Sequence, residues 1–516
     1  VVRSTSRGAV DALFAGCRDR TEGGIVMRVL LLVPPNPETF WSFEHVVRFV
    51  SKSCAFPPLG MLTVAAMLPR EWELELVDLN VSALRDEQLE RADYVMVSAM
   101  IVHSESVRSI AARCNRLGKV LIGGGPLFTA GHEEFPEIGH FVLGEAEDVI
   151  DQLVADMTRG ALERTYAAAE RPDISRAPIP RWDLVDLRRY VTLSVQFSRG
   201  CPYDCEFCDI IVMNGRVPRT KRPEQLIAEL EALRVRGWVE MVFVVDDNFI
   251  GDKKRTKAVL REMIAWRERT GAQMGFLTEA SVNLADDAEM LRLMVAAGFK
   301  KVFVGIETPL LASLTECRKT QNKGRDLVES VHTIQRAGLE VMGGFIVGFD
   351  NDPRDVFQRQ FEFIQASGVA TAMVGLLTAL PKTRLHARLS SEGRLRERST
   401  GNNTQAVLNF ETVLERGFLE SGYRELMKRL YEPRVYYRRV RTFLRQHRPQ
   451  GPRLQLTRAD LLAVFRSMWE FGLRRRGRLA YWWLMASTLV RDPRQVRVAI
   501  ELSVMGFHFR RVSSGL

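Results

Sequence analysis

The chain has 516 residues, 46% of them apolar, and a formal net charge of +10. That length exceeds what one hydrophobic core organises, so two or three domains are expected, and the apolar share excludes a disordered chain. Seven cysteines give no disulfide framework and suit a reducing cytoplasm, and no uninterrupted apolar run reaches the length of a membrane span.

Residues 1–26 mix Arg, Asp and Gly without the apolar stretch of a secretory signal, and read as a disordered extension ahead of Met27. From there apolar strands at 28–33, 74–77, 94–98, 120–122 and 141–143 alternate with helices at 59–68 and 104–117. The alternation predicts an α/β domain over 27–160, a parallel, doubly wound Rossmann-like sheet. Sheets of this kind bind ligands beyond the carboxyl ends of their strands. Here those ends carry Asp78-Leu79-Asn80, Ser98, Gly123-Gly124-Gly125 and Gly144-Glu145. Glycines at such positions let a large ligand approach the backbone closely.

Pro172, Pro178 and Pro180 break both strand and helix patterns, so 161–186 reads as a linker. A second series follows over 187–400, with strands at 191–197, 241–245, 274–277, 301–304, 341–347 and 372–376 and helices at 223–236, 257–270, 288–297 and 327–337. Six such units predict an open, partial (β/α)6 barrel with its chemistry at the carboxyl ends of the strands. The loop after the first of these strands reads Arg199-Gly200-Cys201-Pro202-Tyr203-Asp204-Cys205-Glu206-Phe207-Cys208. Its CxxxCxxC spacing supplies three thiolates to a four-iron cluster and leaves one iron open, able to bind a small molecule and pass it an electron. A closed zinc site would need a fourth ligand, and neither a second CxxC nor a nearby His is present. A chance cluster of buried thiols is the other alternative. The remaining strand ends carry Asp246-Asp247-Asn248, Glu279 with Ser281, Glu307, and Gly348-Phe349-Asp350. Asp246 and Asp247 suit a cation, although carboxylates are common in strand-end turns.

Beyond residue 400 the βα rhythm stops, and 401–516 reads as helical and basic, with 21 Arg and Lys against 6 Asp and Glu from Ser421 to Leu516. Three readings are open: solvated or interdomain packing faces first, adhesion to an anionic membrane surface through Trp482-Trp483 and the arginines second, and nucleic-acid binding third. No recognised nucleic-acid module is visible, which speaks against the last.

The run CxxxCxFC after a strand, with Phe207 as the aromatic before the last Cys, resembles the signature of the radical S-adenosylmethionine superfamily. The resemblance implies that Cys201, Cys205 and Cys208 hold a [4Fe-4S] cluster whose open iron chelates the methionine end of S-adenosylmethionine. A flavodoxin- or ferredoxin-like donor would reduce it and release a 5′-deoxyadenosyl radical. Phe207, Glu279, Ser281 and Glu307 carry over as S-adenosylmethionine contacts, Glu279 to the ribose hydroxyls and Glu307 to the methionine end or the ribose. The preceding domain resembles the cobalamin-binding domain of many such enzymes, with Ser98, Gly123, Gly124 and Glu145 as contacts to the nucleotide tail and corrin rim. No Asp-x-His-x-x-Gly appears, so no lower axial histidine is supplied there; His45 and His103 are conceivable ligands but read more simply as ordinary packed or exposed histidines.

From about Met27 to Arg445 the whole order resembles cobalamin-binding radical enzymes that include hopanoid and bacteriochlorophyll side-chain methylases. It implies a C-methyltransferase acting on an unactivated carbon of a hydrophobic lipid, pigment precursor or natural product. A radical rearrangement, cyclisation or oxidation without methyl transfer is the alternative, and a cobalamin- or redox-sensing regulator a further one. The expected partners are a small-molecule or lipid substrate and the electron donor, in the cytoplasm or at a membrane periphery.

Overall fold

A computed structural model of the chain describes residues 26–450 and 458–516, the side chains of 458–460 excepted. The expected extension at 1–26 lies outside the described residues except for Val26. The first sheet comprises β1 (Arg28–Val33), β2 (Glu73–Asp78), β3 (Tyr94–Ser98), β4 (Val120–Gly124), β5 (His140–Leu143) and β6 (Thr165–Ala167), all parallel in the order β2-β1-β3-β4-β5-β6. Alternate side chains enter opposite cores. Leu30, Leu32, Val95 and Val97 pack on one face, and Val29, Leu31, Met96 and Ile122 on the other. Burial of both faces is what makes these strands near-continuous apolar runs. The chain reverses direction across the sheet between β1 and β3, the switch point where open parallel sheets form their ligand crevice.

β6 corrects the linker reading of 161–186. Thr165–Ala167 is too short to register as a strand pattern, yet it pairs with β5 and buries Tyr166, whose hydroxyl donates to Asp156 (2.9 Å) and accepts from the Glu163 N–H (2.8 Å). Further along, the proline-rich stretch packs Ile174 and Trp182 inward.

The second sheet contains β7 (Leu193–Val195), then, after the two-residue strands β8 (Ser198–Arg199) and β9 (Arg219–Thr220), β10 (Met241–Val244), β11 (Gly275–Glu279), β12 (Phe299–Glu307), β13 (Glu340–Val347) and β14 (Ala372–Leu376). Its order is β14-β13-β12-β11-β10-β7, all parallel, an uninterrupted walk in one direction as six βα units of a partial barrel require. Along β12, Val302, Val304 and Ile306 are fully buried, while Lys301, Phe303 and Gly305 alternate with them.

Two other parts of the chain pack on that second row. The segment after β1 places Trp41 against Phe303 and Phe243, at centroid distances of 5.2 and 6.3 Å. The helix Val496–Gly515 pairs Glu501 with Lys301, which also meets Glu340 at 3.1 Å, and it sets Phe509 against Phe40. The C-terminal helices therefore share the barrel's core. The Tyr431 hydroxyl accepts from the Ala372 N–H (3.1 Å) and donates to the Ala372 carbonyl (2.6 Å). Arg439, wholly buried beside Tyr431 and Tyr436, donates to the Leu430 and Ala370 carbonyls. No helix among the described residues is long and apolar enough to cross a membrane.

Candidate active site

The loop carrying Cys201, Cys205 and Cys208 is closed at its base by the antiparallel pair β8–β9, with Arg199 opposite Arg219. Gly200 sits at φ +101°, and a Cβ there would lie 3.0 Å from the Gly215 and Val217 carbonyls, so only glycine fits. Two carboxylates beyond β10 hold the loop in place. Asp246 accepts from the Phe197 N–H (2.7 Å) and the Ser198 hydroxyl (2.6 Å), which takes Phe197 out of the ladder and ends β7 early. Asp247 accepts from the Gly200 N–H (2.7 Å) and from Asn214 Nδ2 (2.9 Å). Burial pushes the Asp246 carboxyl up to about 7 despite these donors. Both acids expected as cation candidates are thus committed to the backbone of the cysteine loop.

Around the thiols the donors are neutral amides and one cation. Asn248 Nδ2 points at Cys201 Sγ (3.8 Å) and Gln321 Nε2 at Cys205 Sγ (3.7 Å). Asn248 also meets the Ser281 hydroxyl at 3.3 Å, and Ser281 donates to Asn283, which holds Tyr203. Lys319 is buried, bonds Glu307 at 2.6 Å and lies 6.0 Å from the Phe207 ring. Its charge favours the thiolate at Cys201 and Cys208, against the burial that raises both. Glu307 itself adopts φ +61°, and a Cβ on Gly305 would strike its carboxylate, so the ion pair depends on that glycine. Phe207 rests against Phe349 at 6.3 Å.

The Glu279 carboxyl, at the end of β11, makes no hydrogen bond or ion pair among the described residues, and burial together with the charges of Asp247 and Asp246 pushes it up to about 8. Gln321 Oε1 and Asn322 Oδ1 are fully buried without a partner, whereas Glu279 is half-buried. Unpaired buried polar groups are costly, so amide donors at Cys201 and Cys205, with an uncommitted carboxylate and two amide oxygens nearby, suit a polar, donor-rich ligand beside the cysteine loop.

At the switch point of the first sheet, Val33, Asp78 and Ser98 line a cavity of about 280 Å³ with Trp41, Phe56 and His103. Asp78 is held by Asn80 (2.7 and 2.9 Å) and by the Tyr190 hydroxyl (3.0 Å) from the segment leading into the barrel. Gly125, at φ +92°, would place a Cβ 2.9 Å from Ser98 Oγ, and a Cβ on Gly123 would lie 2.9 Å from the Phe128 ring. On Gly124 the nearest atom would be 3.8 Å away, so the protein itself does not need glycine there. Asp78 is the one carboxylate among the lining residues and is already hydrogen-bonded, and the Trp41 and Phe56 rings give the crevice a face that fits a large flat ligand. His103 spends both ring nitrogens, accepting from the Met100 N–H (3.2 Å) and meeting Asn36 Oδ1 at 2.9 Å, and burial lowers it to about 4. His45 Nε2 meets Glu38 at 2.9 Å. Both conceivable cobalt ligands are engaged within the protein.

Glu145 turns toward the barrel and away from the crevice. It pairs with Arg199 (2.5 Å) and Arg219 (2.6 Å), while Glu147 takes the other Arg199 nitrogen at 2.8 Å, all largely buried. Expected as a corrin contact, it instead joins the first domain to the base of the cysteine loop. Lys319, Gln321, Arg199 and Arg219 were not foreseen; only the position of Arg199, two residues before Cys201, offered a signal.

Family models match in the same order as the domains: a B12 binding domain over residues 45–154, the Radical SAM superfamily over 195–364 and a domain of unknown function over 383–515. An uncharacterized methyltransferase of Synechocystis sp. is 40% identical over 94% of this chain and 91% of its own length. The hopanoid C-2 methylase of Rhodopseudomonas palustris is 34% identical over 90% of each. The solved structure of the radical S-adenosylmethionine methyltransferase TsrM from Kitasatospora setae, with cobalamin and a [4Fe-4S] cluster bound, superposes with a TM-score of 0.61 at 14% identity over 94% of this chain and 99% of that one, a likeness of fold. The chain belongs to the cobalamin-binding radical S-adenosylmethionine methyltransferases, enzymes that use a [4Fe-4S] cluster, S-adenosylmethionine and cobalamin.

Proposed function

We propose that this enzyme methylates a saturated carbon of a polycyclic, hopanoid-like lipid. The observation that carries the reading is the aromatic wall between the two sheets. Trp41 and Phe56, which line the switch-point cavity, pack on Phe243 and Phe303 of the barrel, with Phe56 and Phe243 at 5.6 Å. Such a wall gives a fused-ring hydrocarbon apolar surface and offers a charged substrate no partner. The similarity to a hopanoid C-2 methylase over nine-tenths of both chains points to the same substrate class.

When bound, the cluster with S-adenosylmethionine supplies a hydrogen-abstracting radical, and the corrin carries the methyl group. The chain's own residues do the positioning. Cys201, Cys205 and Cys208 would ligate the cluster on a loop held by Asp246 and Asp247; Glu279, with no partner of its own, would accept from ribose hydroxyls; Ser281 would lie beside them, and Phe207 would cover the cluster. Ser98, on the cavity wall, would face the corrin side, with Gly124 paired beside it on β4. Glu307, already paired with Lys319, holds a cation beside the cluster loop. A low-potential flavodoxin- or ferredoxin-like protein fits as the electron source. Domain limits of 27–167, 187–382 and 383–516 suit this division of labour.

The test is incubation of anaerobically reconstituted enzyme with hopene, S-adenosylmethionine and a reductant, followed by mass analysis of the lipid. A product heavier by one CH₂ is expected. Deoxyadenosine formed with an altered lipid of unchanged carbon count would overturn methyl transfer in favour of rearrangement or oxidation.

A further inference from the structure

The helix Arg458–Ser467, its π-helical continuation Met468–Arg474 and the helix Arg478–Arg491 form a surface hairpin, tied by Trp482 Nε1 donating to the Gly472 carbonyl at 2.9 Å. Phe471, Tyr481, Leu484 and Met485 face the protein and are buried. The outer stripe is as apolar as the inner one. Phe465 is 69% exposed and Trp469 58%, at positions one helical turn apart. On the second helix Leu479, Trp483 and Val490, at 78, 61 and 88%, recur at the same helical spacing. A soluble surface seldom leaves so many large apolar side chains together without a use. Between Leu461 and Arg491 the chain holds six arginines and one acid, Glu470. Arg474 and Arg475 share that acid, whereas Arg476, Arg478 and Arg491 make no ion pair among the described residues. Phe465 and Trp469 also line a cavity of about 620 Å³ with Arg48, Phe49, Arg475 and Phe507, beside the helix that follows Trp41.

We propose that this hairpin docks the enzyme on an anionic membrane surface, its aromatic stripe entering the headgroup boundary and its unpaired arginines meeting lipid phosphates. Charge complementarity decides the occupant: an apolar face set among cations matches an anionic bilayer, and Trp at a boundary is the residue such a surface accepts best. The proposed contact is at the surface of the bilayer; no helix among the described residues is long and apolar enough to cross one. The inference stands on the exposed face and holds whatever the methylated substrate.

The experiment is sedimentation of the full-length, cluster-loaded enzyme with vesicles of phosphatidylcholine alone and of phosphatidylcholine mixed with phosphatidylglycerol. Binding to the mixed vesicles is expected, falling about fivefold for each of Arg476→Gln, Arg478→Gln and Arg491→Gln, and falling with salt. Trp469→Ser with Trp483→Ser should abolish it with iron content unchanged; Leu479→Ser, at a still more exposed position, serves if that pair fails to fold. Equal affinity for neutral vesicles, no binding to either, or a tryptophan-dependent dimer in sedimentation equilibrium would each overturn the proposal, the last by showing a second copy on this face. Methylation of detergent-dispersed lipid reads the substrate assignment separately.

Discussion

Both sheets hold six parallel strands, but the first ends them in Ser98, glycines and a hydrogen-bonded Asp78, and the second in Asp246, Asp247, Glu279 and the Glu307–Lys319 pair. The first sheet makes room by removing side chains and leaves little free charge; the second keeps its charges and spends most of them on one loop. A broad corrin is recognised by shape and close backbone approach, whereas a small zwitterion on a cluster needs fixed charges and donors. The two halves should therefore fail separately. Cys205→Ala should abolish the cluster, its visible absorption and all deoxyadenosine formation, yet leave corrin binding in place. Loss of both cofactors together would show that the halves are one folding unit.

Arg199→Met attacks the junction. It strips Glu147 of its ion pair and leaves Glu145 with Arg219 alone, and breaking a buried pair from one side costs about 3–5 kcal/mol. Urea unfolding should report that loss, together with weaker iron retention because Gly200 adjoins the residue. Glu279→Gln is milder and confined to the second sheet. Above pH 8, where the carboxyl is ionised and can accept from ribose hydroxyls, affinity for S-adenosylmethionine should fall about 10- to 100-fold, the worth of a charge-assisted hydrogen bond, with iron and corrin contents unchanged by direct assay.

Each half also carries its own acid sensitivity. His103 in the first, and His447 and His508 under the barrel's helical cover, are buried and lowered to about 4. An unfolded histidine takes up its proton near pH 6.5, so between pH 6.5 and 4 the unfolded chain binds more protons and stability falls as pH falls, by about 1.4 kcal/mol per pH unit for each histidine. His508→Asn should remove one such slope from urea midpoints measured at pH 5 and 6.5.

Most of this architecture was legible because apolar runs with turn residues at their ends mark buried parallel strands, and because three cysteines within eight residues declare a cluster loop. β6 escaped since three residues carry no period. Lys319 escaped since nothing local distinguishes it from its neighbour Arg318; only the fold brings it to Glu307. Glu145 was legible as a strand-end residue, but its ion pairs were not, because its partners Arg199 and Arg219 lie 54 and 74 residues away. The basic tail's composition was plain, but Arg439, which anchors it against Tyr431 and Ala370, reads like any exposed arginine until the fold buries it.

Gly124→Ala carries the smallest effect on stability and separates packing from recognition. At Gly123 the missing Cβ is claimed by Phe128, so Ala there would disturb the fold and say nothing about a ligand. At Gly124 the new methyl would meet only Val142 at ordinary contact distance, and the position does not require positive φ. Stability should therefore change by less than about 0.5 kcal/mol, as substitutions that meet no strain usually do. If the ligand rests on the end of β4, where Gly124 pairs with Ser98, corrin occupancy should nevertheless drop, because the added methyl keeps the ligand from that backbone. Unchanged occupancy in a variant of unchanged stability would move the corrin contact off this strand end and onto the Ser98 side of the crevice, where Gly125 lies at φ +92° and a Cβ would fall 2.9 Å from the serine oxygen.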